Sequence, residues 1–565
     1  MKDHYPLGST IPEHCLVPPS LQPEYPDDDR YDLGPHANIG HYLADAHVVA
    51  GHGDDLAVVH AETGRSFTYR QLADESTRLA TGLVGWGVRP GDRIAFRSSN
   101  VPELLVAMTA AWKAGAVVVP TPVQARPEEL QFFLADTGAR LLVLVGGSEA
   151  GEGVTAALDG TDVEQVLAFG DAVGSTTFAP ATGLPGYGGD PATLPAVPRD
   201  SVAVLWHTGG TTGRPKGCYH THRRFLLGGL AVGEAMRPGA GERFAAAAPL
   251  GHALGFIYHT IFTLLHRATV VMIEDFRDPN RILDAVEAHG VNTFAAITAT
   301  WARMLDALAA SPRELPSLTR GYAMWQTASS TDVRTGWKSR GIELMNNFGS
   351  TSYATWGLLP RHDEEFTPAS LGKPLPGYDI VAATVADGTV TPVTEGPGQM
   401  AWRGLTGLTY WNRAELQERD VVDGWSLSDD LIQFDESGNA DYLGRTDYMI
   451  STAGYKVAPA EVEIALSEHA AVREVSVVGA PCPMRGEMVV AFVALEHGIP
   501  EGDELVKELQ SHVKARLSPY KYPRRIHFVE AIPRDPVGKV RGRVLKDWAS
   551  AGAPQPTGAP SAPTS

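Results

Sequence analysis

Four apolar runs, at residues 117–119, 141–145, 202–206 and 270–273, recur between segments of helical periodicity. A strand that is apolar on both faces needs cover on both sides, and alternation with helices makes the sheet parallel. The pattern predicts an α/β fold whose large N-terminal domain holds parallel-rich sheets with helices. A helical pattern opens at Phe67-Thr68-Tyr69 and runs through Leu83, and the segment GVRPGDRIAF that follows reads as a Pro-Gly turn and a strand. The most apolar stretch, 104–119, is interrupted by Lys113 and Gly115. It reads as a buried helix and a buried strand rather than a membrane span. Residues 171–199 are rich in Gly, Pro and Thr and predict a surface loop.

From about residue 372 the strands become short and turn-separated, at 380–385 and 398–402, which predicts a small β-rich subdomain. After Asp447 the chain reads strand, helix, strand, helix over 461–466, 472–478, 489–495 and 504–517, a separate small α+β domain. The expected organisation is an extended N-terminal arm over 1–35, a large domain over 36–446, a small C-terminal domain over 447–548, and a disordered tail over 549–565. The tail holds little but small residues and proline. A net charge of -19 disfavours nucleic acid and anionic membrane as partners. Three scattered cysteines, Cys15, Cys218 and Cys482, make no disulfide framework, and the N-terminus has no apolar signal core. A cytoplasmic location is the expectation.

The densest chemical signal follows the run at 202–206. It is Thr208-Gly209-Gly210-Thr211-Thr212-Gly213-Arg214-Pro215-Lys216-Gly217. Glycines let backbone N–H groups approach an oxyanion, the threonines add hydroxyl donors, and Lys216 adds charge. The loop suits a polyphosphate, but it is not a Walker loop, since GxxxxGK[ST] is absent. His220 and His222 form an HxH beside it. No acidic residue lies near them, and no metal site is expected there.

This loop resembles the TSGTTGxPKG signature of the adenylate-forming superfamily: acyl-CoA synthetases, peptide-synthetase adenylation domains and luciferases. Further segments resemble that family's motifs in the same order. They are Pro249-Leu250-Gly251-His252, Phe348-Gly349-Ser350-Thr351-Ser352, Ser428-Asp429-Asp430-Leu431 and Gly444-Arg445-Thr446-Asp447. The loop from Gly454-Tyr455-Lys456 to Glu463 and the segment PRDPVGKVR ending at Arg541 complete the set. The resemblance covers roughly 50–548.

It implies two half-reactions. A carboxylate and ATP give acyl-AMP and pyrophosphate, and CoA then takes the acyl group. It also implies that the small domain rotates between them. By resemblance, Thr208, Gly210, Thr211, Thr212, Gly213 and Lys216 cradle phosphate, with Gly349 and Ser350 nearby. Ala328 and Ser329 pack on adenine. Asp430 holds the ribose hydroxyls beside Tyr442, and Arg445 contacts ribose or phosphate. Thr351 bonds the AMP phosphate, Lys539 bridges carboxylate and phosphate in the adenylation pose, and Asp447 is the hinge. Gly454, Tyr455 and Lys456 line the pantetheine tunnel, and His252 stands between acyl pocket and CoA entry.

Three positions depart from the family pattern. Ser352 stands where a Glu normally helps hold Mg²⁺, Gly209 where Ser is usual, and Ala328-Ser329 where Gly-Gly or Gly-Glu is usual. A hard dication prefers anionic oxygen, and acyl-AMP has no β- or γ-phosphate to clamp. The expectation is an enzyme that keeps thioester formation from the AMP moiety of an acyl-adenylate while adenylation is impaired, with a separate adenylating ligase as partner. A complete two-step ligase using ATP and Mg²⁺ is the alternative. Glu364 or Glu365 is a candidate replacement ligand.

Phe256, Trp301, Met304, Trp325, Tyr353 and Trp356 are the expected lining of the acyl pocket. They suggest a bulky, mostly apolar acid of aryl-CoA ligase flavour, as in secondary metabolism, although each is equally explained as core. Rival readings are a carrier-loading adenylation enzyme, a luciferase-like oxidising enzyme and a silent acyl-adenylate binder. A homodimer is compatible with all of them.

Overall fold

The computed structural model describes residues 9–25, 31–170, 178–208, 215–324, 330–361, 370–452, 455–482, 484–518, 520–534 and 540–552. Its first sheet runs, in spatial order, Ala179–Pro180, Gln165–Phe169, Leu141–Val145, Arg93–Ser98, Val117–Thr121, Val202–Thr208 and Lys216–Thr221. All neighbours are parallel except the last pair, an antiparallel hairpin. Arg93–Ser98, Val117–Thr121 and Leu141–Val145 are buried along their whole length. The unbroken apolar runs at 117–119 and 141–145 therefore follow from cover on both faces.

A second sheet orders Glu343–Met345, Arg320–Met324, Thr293–Ile297, Arg243–Ala246, Thr269–Met272, Leu56–His60 and Ser66–Thr68. Only the final edge strand is antiparallel. Helix Pro102–Lys113 carries proline in its first turn and is buried at every residue. This is the helix expected from the apolar stretch at 104–119. Among the described residues no helix is long and apolar enough to cross a membrane.

The helix expected from 67 spans Tyr69–Trp86. Thr68 and Gln71 form a reciprocal capping box at its start, and Gly87 in the left-handed region closes it. The predicted surface loop packs closely on this helix. A Cβ on Gly85 would lie 2.1 Å from the Pro185 carbonyl oxygen, so two small residues, Gly82 and Gly85, open a flat face for 184–187.

The β-rich region is a nine-stranded antiparallel sheet from Phe348–Ser350 to Ala440–Arg445. Its strands Tyr378–Ala386 and Gly398–Gly404 extend the two short strands expected there. A separate five-stranded sheet takes Tyr455–Val457, Ile450–Thr452, Gly486–Leu495, Val472–Cys482 and Arg525–Phe528. Here the expected order of elements is corrected. Residues 461–466 lie in helix Pro459–Ser467 and 472–478 lie in strand Val472–Cys482. Pro459 at the first helical position and Glu461 in the first turn favour the helix. The β-branched run at 472–478 favours the strand.

The described part of the expected extended arm, residues 9–25, holds two short 3₁₀ turns, Glu13–Cys15 and Pro19–Leu21, and packs on the fold. The Val17 N–H donates to Tyr219 Oη at 2.8 Å, Asn412 N–H donates to the Cys15 carbonyl at 3.1 Å, and Tyr25 lies 4.3 Å beneath the Arg224 guanidinium. Helix Gly542–Ala551 runs past residue 549, where the tail was expected to begin, and Ala549 is buried.

Glu463, on helix Pro459–Ser467, is buried and accepts the Val477 N–H at 2.8 Å. Burial pushes its carboxyl up to about 7. The folded state therefore holds this proton more tightly than the unfolded chain does. The contribution is fully present below the ordinary carboxylate range and is lost as pH rises through about 7. Between pH 5 and pH 8 the loss is on the order of 2 kcal/mol. Glu463→Gln keeps the acceptor and should flatten this part of the pH profile, as read by urea unfolding at the two pH values.

Candidate active site

The strand Val202–Thr208 joins the parallel sheet and pairs with Lys216–Thr221, so Thr208 and Lys216 stand at its C-terminal end, where open α/β folds bind ligands. Thr208 faces Lys216 across the pair. The Lys216 ammonium lies 5.6 Å over the Tyr410 ring. Gly210, Thr211, Thr212 and Gly213 lie outside the described residues, as do Trp325, Ala328, Ser329, Gly454 and Lys539, and Glu364 and Glu365. The backbones of Tyr455 and Lys456 form the edge strand of the C-terminal sheet, and Asp447 lies in a 3₁₀ turn between Arg445 and Met449.

Beside the hairpin, the strand Phe348–Ser350 leads into a turn. The Tyr353 and Ala354 N–H groups both return to the Ser350 carbonyl, and Ala354 adopts φ 63°. Gly349 can pair there only as glycine, since a Cβ would lie 2.3 Å from the Thr355 carbonyl oxygen. The Thr351 carbonyl accepts Trp206 Nε1–H at 2.7 Å and His220 Nε2 at 3.1 Å. Ser352 Oγ lies 3.9 Å from the buried Cys218 thiol, which donates to it. Burial pushes that thiol up to about 12, so it stays protonated. Ser350 Oγ and Asn347 Oδ1 are buried with no hydrogen-bond partner among the described residues. A polar ligand at this turn would supply what they lack.

Asp430 and Arg445 face each other across two paired strands. Asp430 accepts from Ser428 Oγ and, at 3.3 Å, from Tyr442 Oη, while Arg445 donates to Asp429 at 2.9 Å. Burial pushes the Asp430 carboxyl up, opposed by its bond from Ser428 and by Arg445. The structure therefore brings Asp430, Tyr442 and Arg445 together. It also brings Thr208, Lys216, Thr351 and Ser352 together around the hairpin. Exposed His252 caps helix Ala253–His259, its Nδ1 accepting the Leu254 N–H at 3.2 Å, which leaves Nε2 as the protonated nitrogen of the neutral ring.

The expected pocket aromatics are placed differently from one another. Phe256 packs edge-on to Trp112, Trp206 and Phe225, and Trp301 lies between Phe294 and Trp337 with its Nε1–H on the Tyr322 carbonyl. Met304 is buried in that same cluster. Trp356 contacts Tyr258, Phe262 and Tyr322, and Tyr353 stacks on Trp402 at 4.6 Å. All five are core residues.

Several groups that organise the site are not evident in the sequence. Asn100 follows strand Arg93–Ser98 and ties down the Pro249–His252 segment. It donates to the Ala248 and Ile273 carbonyls at 3.0 and 3.2 Å and accepts the Leu250 N–H at 2.9 Å. Below the phosphate loop, Asp136 accepts His207 Nε2 at 3.0 Å and Arg413 at 2.5 Å. Those two bonds hold its carboxyl below the usual range although burial opposes them. A polar residue closing a parallel strand, as Asn100 does, is the sequence signal that could have marked the first of these. His222 takes the Ile39 N–H on Nδ1 at 3.1 Å, a bond within the fold.

The family model for AMP-binding enzymes matches residues 46–411, and the model for the AMP-binding enzyme C-terminal domain matches 461–539. A feruloyl-CoA synthase from Amycolatopsis sp is 33% identical over 496 residues, covering 86% of this chain and 94% of that protein. Among solved structures, an anthranilate CoA ligase in complex with anthranoyl-AMP aligns with a TM-score of 0.80 at 24% identity, over 92% of this chain and 99% of that one. A benzoate CoA ligase from Burkholderia xenovorans LB400 aligns at 0.77 and 26% identity, over 90% of this chain and 99% of its own. Agreement of sequence, fold and motif order along nearly the whole length makes this chain a member of the AMP-binding, adenylate-forming enzymes, in their acyl-CoA ligase branch.

Proposed function

We propose that this enzyme forms the CoA thioester of a bulky, mostly apolar carboxylic acid of aryl type, and that its adenylation half is impaired. The observation that carries the second part is the Ser352 side chain. It offers a neutral hydroxyl, engaged by the Cys218 thiol, where the family places a carboxylate. Mg²⁺, when bound, would neutralise charge on the β- and γ-phosphate oxygens of ATP. Ser352 supplies no anionic oxygen for it. The nucleotide itself suits the described residues: unpartnered Ser350 Oγ and Asn347 Oδ1, the Asp430–Tyr442 pair and the Lys216 ammonium.

In adenylation a carboxylate oxygen attacks the α-phosphorus of ATP, and the bond to pyrophosphate breaks. In thioester formation the CoA thiolate attacks the acyl carbonyl, and the C–O bond to AMP breaks, leaving its electron pair on the phosphate. Thr351 and Lys216 would hold the α-phosphate in both. Asp430, with Tyr442 beside it, would accept from the ribose hydroxyls. Lys539 would serve adenylation, Asp447 would turn the C-terminal unit, and residues 454–456 would guide pantetheine past His252. A separate ligase would supply the acyl-adenylate, in the cytoplasm. The aryl preference is supported by relatives that are named for feruloyl and benzoyl thioesters.

A paired assay tests this. One arm supplies benzoic, ferulic or anthranilic acid with ATP, Mg²⁺ and CoA, and the other supplies the corresponding acyl-adenylate with CoA. Product from the adenylate alone is the expected result. Comparable product in both arms establishes a complete two-step ligase.

A further inference from the structure

Trp206, Cys218 and His220 project from one face of the phosphate-loop hairpin, with Trp206 paired to Cys218 and Val204 to His220 across it. All three are buried, and the Trp206 and His220 rings lie 5.8 Å apart. Together they meet the turn at 351–352. Trp206 Nε1–H and His220 Nε2–H converge on the Thr351 carbonyl, and the Cys218 thiol reaches Ser352 Oγ. Two buried N–H donors on one carbonyl fix the direction of that peptide plane. No peptide in the described residues is cis. The Ser352 N–H must therefore point away from the hairpin, opposite the Thr351 carbonyl.

We propose that Trp206 and His220 are positioning residues that lock the 351–352 peptide against the hairpin Val202–Thr208 and Lys216–Thr221, so that the Thr351 side chain and the Ser352 N–H present a fixed pair of donors to the adenylate phosphate. This rests on the AMP-binding site described above. The clamp ties the hairpin strand to the 351–352 turn, 131 residues away in sequence. Preorganised donors stabilise an oxyanion because they need no reorientation when it arrives. Burial holds the His220 ring down to about 3, so it stays neutral and its Nε2–H persists across the physiological range.

The test is calorimetric titration of the full-length protein with two probes, AMP and adenosine, which differ only in the phosphate. Trp206→Phe removes one donor and keeps most of the ring. His220→Leu removes the other, and His220→Gln returns an amide N–H. The expected result is an AMP affinity lowered about tenfold in Trp206→Phe and in His220→Leu. Adenosine binding should stay within about twofold, and His220→Gln should recover AMP affinity to within about threefold of the natural protein. Equal losses for AMP and adenosine would mark a merely structural role and overturn the proposal, as would unchanged AMP affinity in both donor-deleted variants. Failure of the natural protein to bind either probe would instead overturn the nucleotide-site reading beneath it.

Discussion

Ser352→Glu should raise acyl-CoA formation from acid, ATP, Mg²⁺ and CoA by roughly 100-fold, the size of one well-placed electrostatic group in a transition state. Thioester formation from a supplied acyl-adenylate should stay within about threefold. The reason lies in what each half-reaction must neutralise. Adenylation expels pyrophosphate, and charge grows on its oxygens as the bond breaks. A carboxylate at 352 would bring a metal ligand of the right hardness to that point. Thioester formation expels AMP, so its departing charge falls on the AMP phosphate and none on pyrophosphate oxygens. The present side chain shares its hydroxyl with Cys218, a fully buried thiol. A carboxylate cannot remain ionised against that apolar neighbour, so it should turn toward the half-exposed side of the turn, the side of the proposed nucleotide site. Unchanged ATP-dependent activity in a variant with the natural melting temperature would mean that adenylation does not depend on this position.

The sequence shows the parallel sheets because both-face burial writes itself as continuous Val and Leu runs, as in Leu141–Val145. It shows the family because each motif is a contiguous string of special residues. The C-terminal order is less legible. Residues 461–466 alternate Glu and apolar residues in a way that suits a strand, and the signals for the helix that forms, Pro459 at its start and Glu461 in its first turn, are weaker. Packing partners are hardest to read. Trp301 and Phe256 stand beside site motifs in the sequence, and their rings pack on partners far away in it, Trp337 and Trp112. The groups that hold the site in place are hidden for the same reason. Trp206 and Thr351 are 145 residues apart, and Asn100 and Ala248 are 148 apart. No local periodicity encodes such a contact, and one sequence alone gives no sign of it.

Gly357→Ala should destabilise the enzyme by more than about 3 kcal/mol and abolish adenylate binding, since overpacking of this severity exceeds the usual cost of an inserted methyl. Backbone conformation does not require glycine here. Gly357 lies in strand Thr355–Leu359, where alanine would normally be favoured by about 0.5–1 kcal/mol through lower chain entropy. The obstacle is Trp402. A Cβ on Gly357 would lie 1.8 Å from one atom of that indole and 2.3 Å from two more. The ring cannot retreat, because its face stacks on Tyr353 at 4.6 Å and its strand is paired on both sides. The conflict must be relieved by moving strand Thr355–Leu359, which pairs with Phe348–Ser350 and so carries Thr351 and Ser352 with it. Trp402→Leu makes room and loses packing of its own. In the double variant the two losses should fall short of additive by more than about 1 kcal/mol, the mark of a direct contact. Urea unfolding of the four proteins measures that coupling. Additive losses, or a Gly357→Ala protein as stable as its parent, would show that Trp402 yields and that this packing does not hold the adenylate turn.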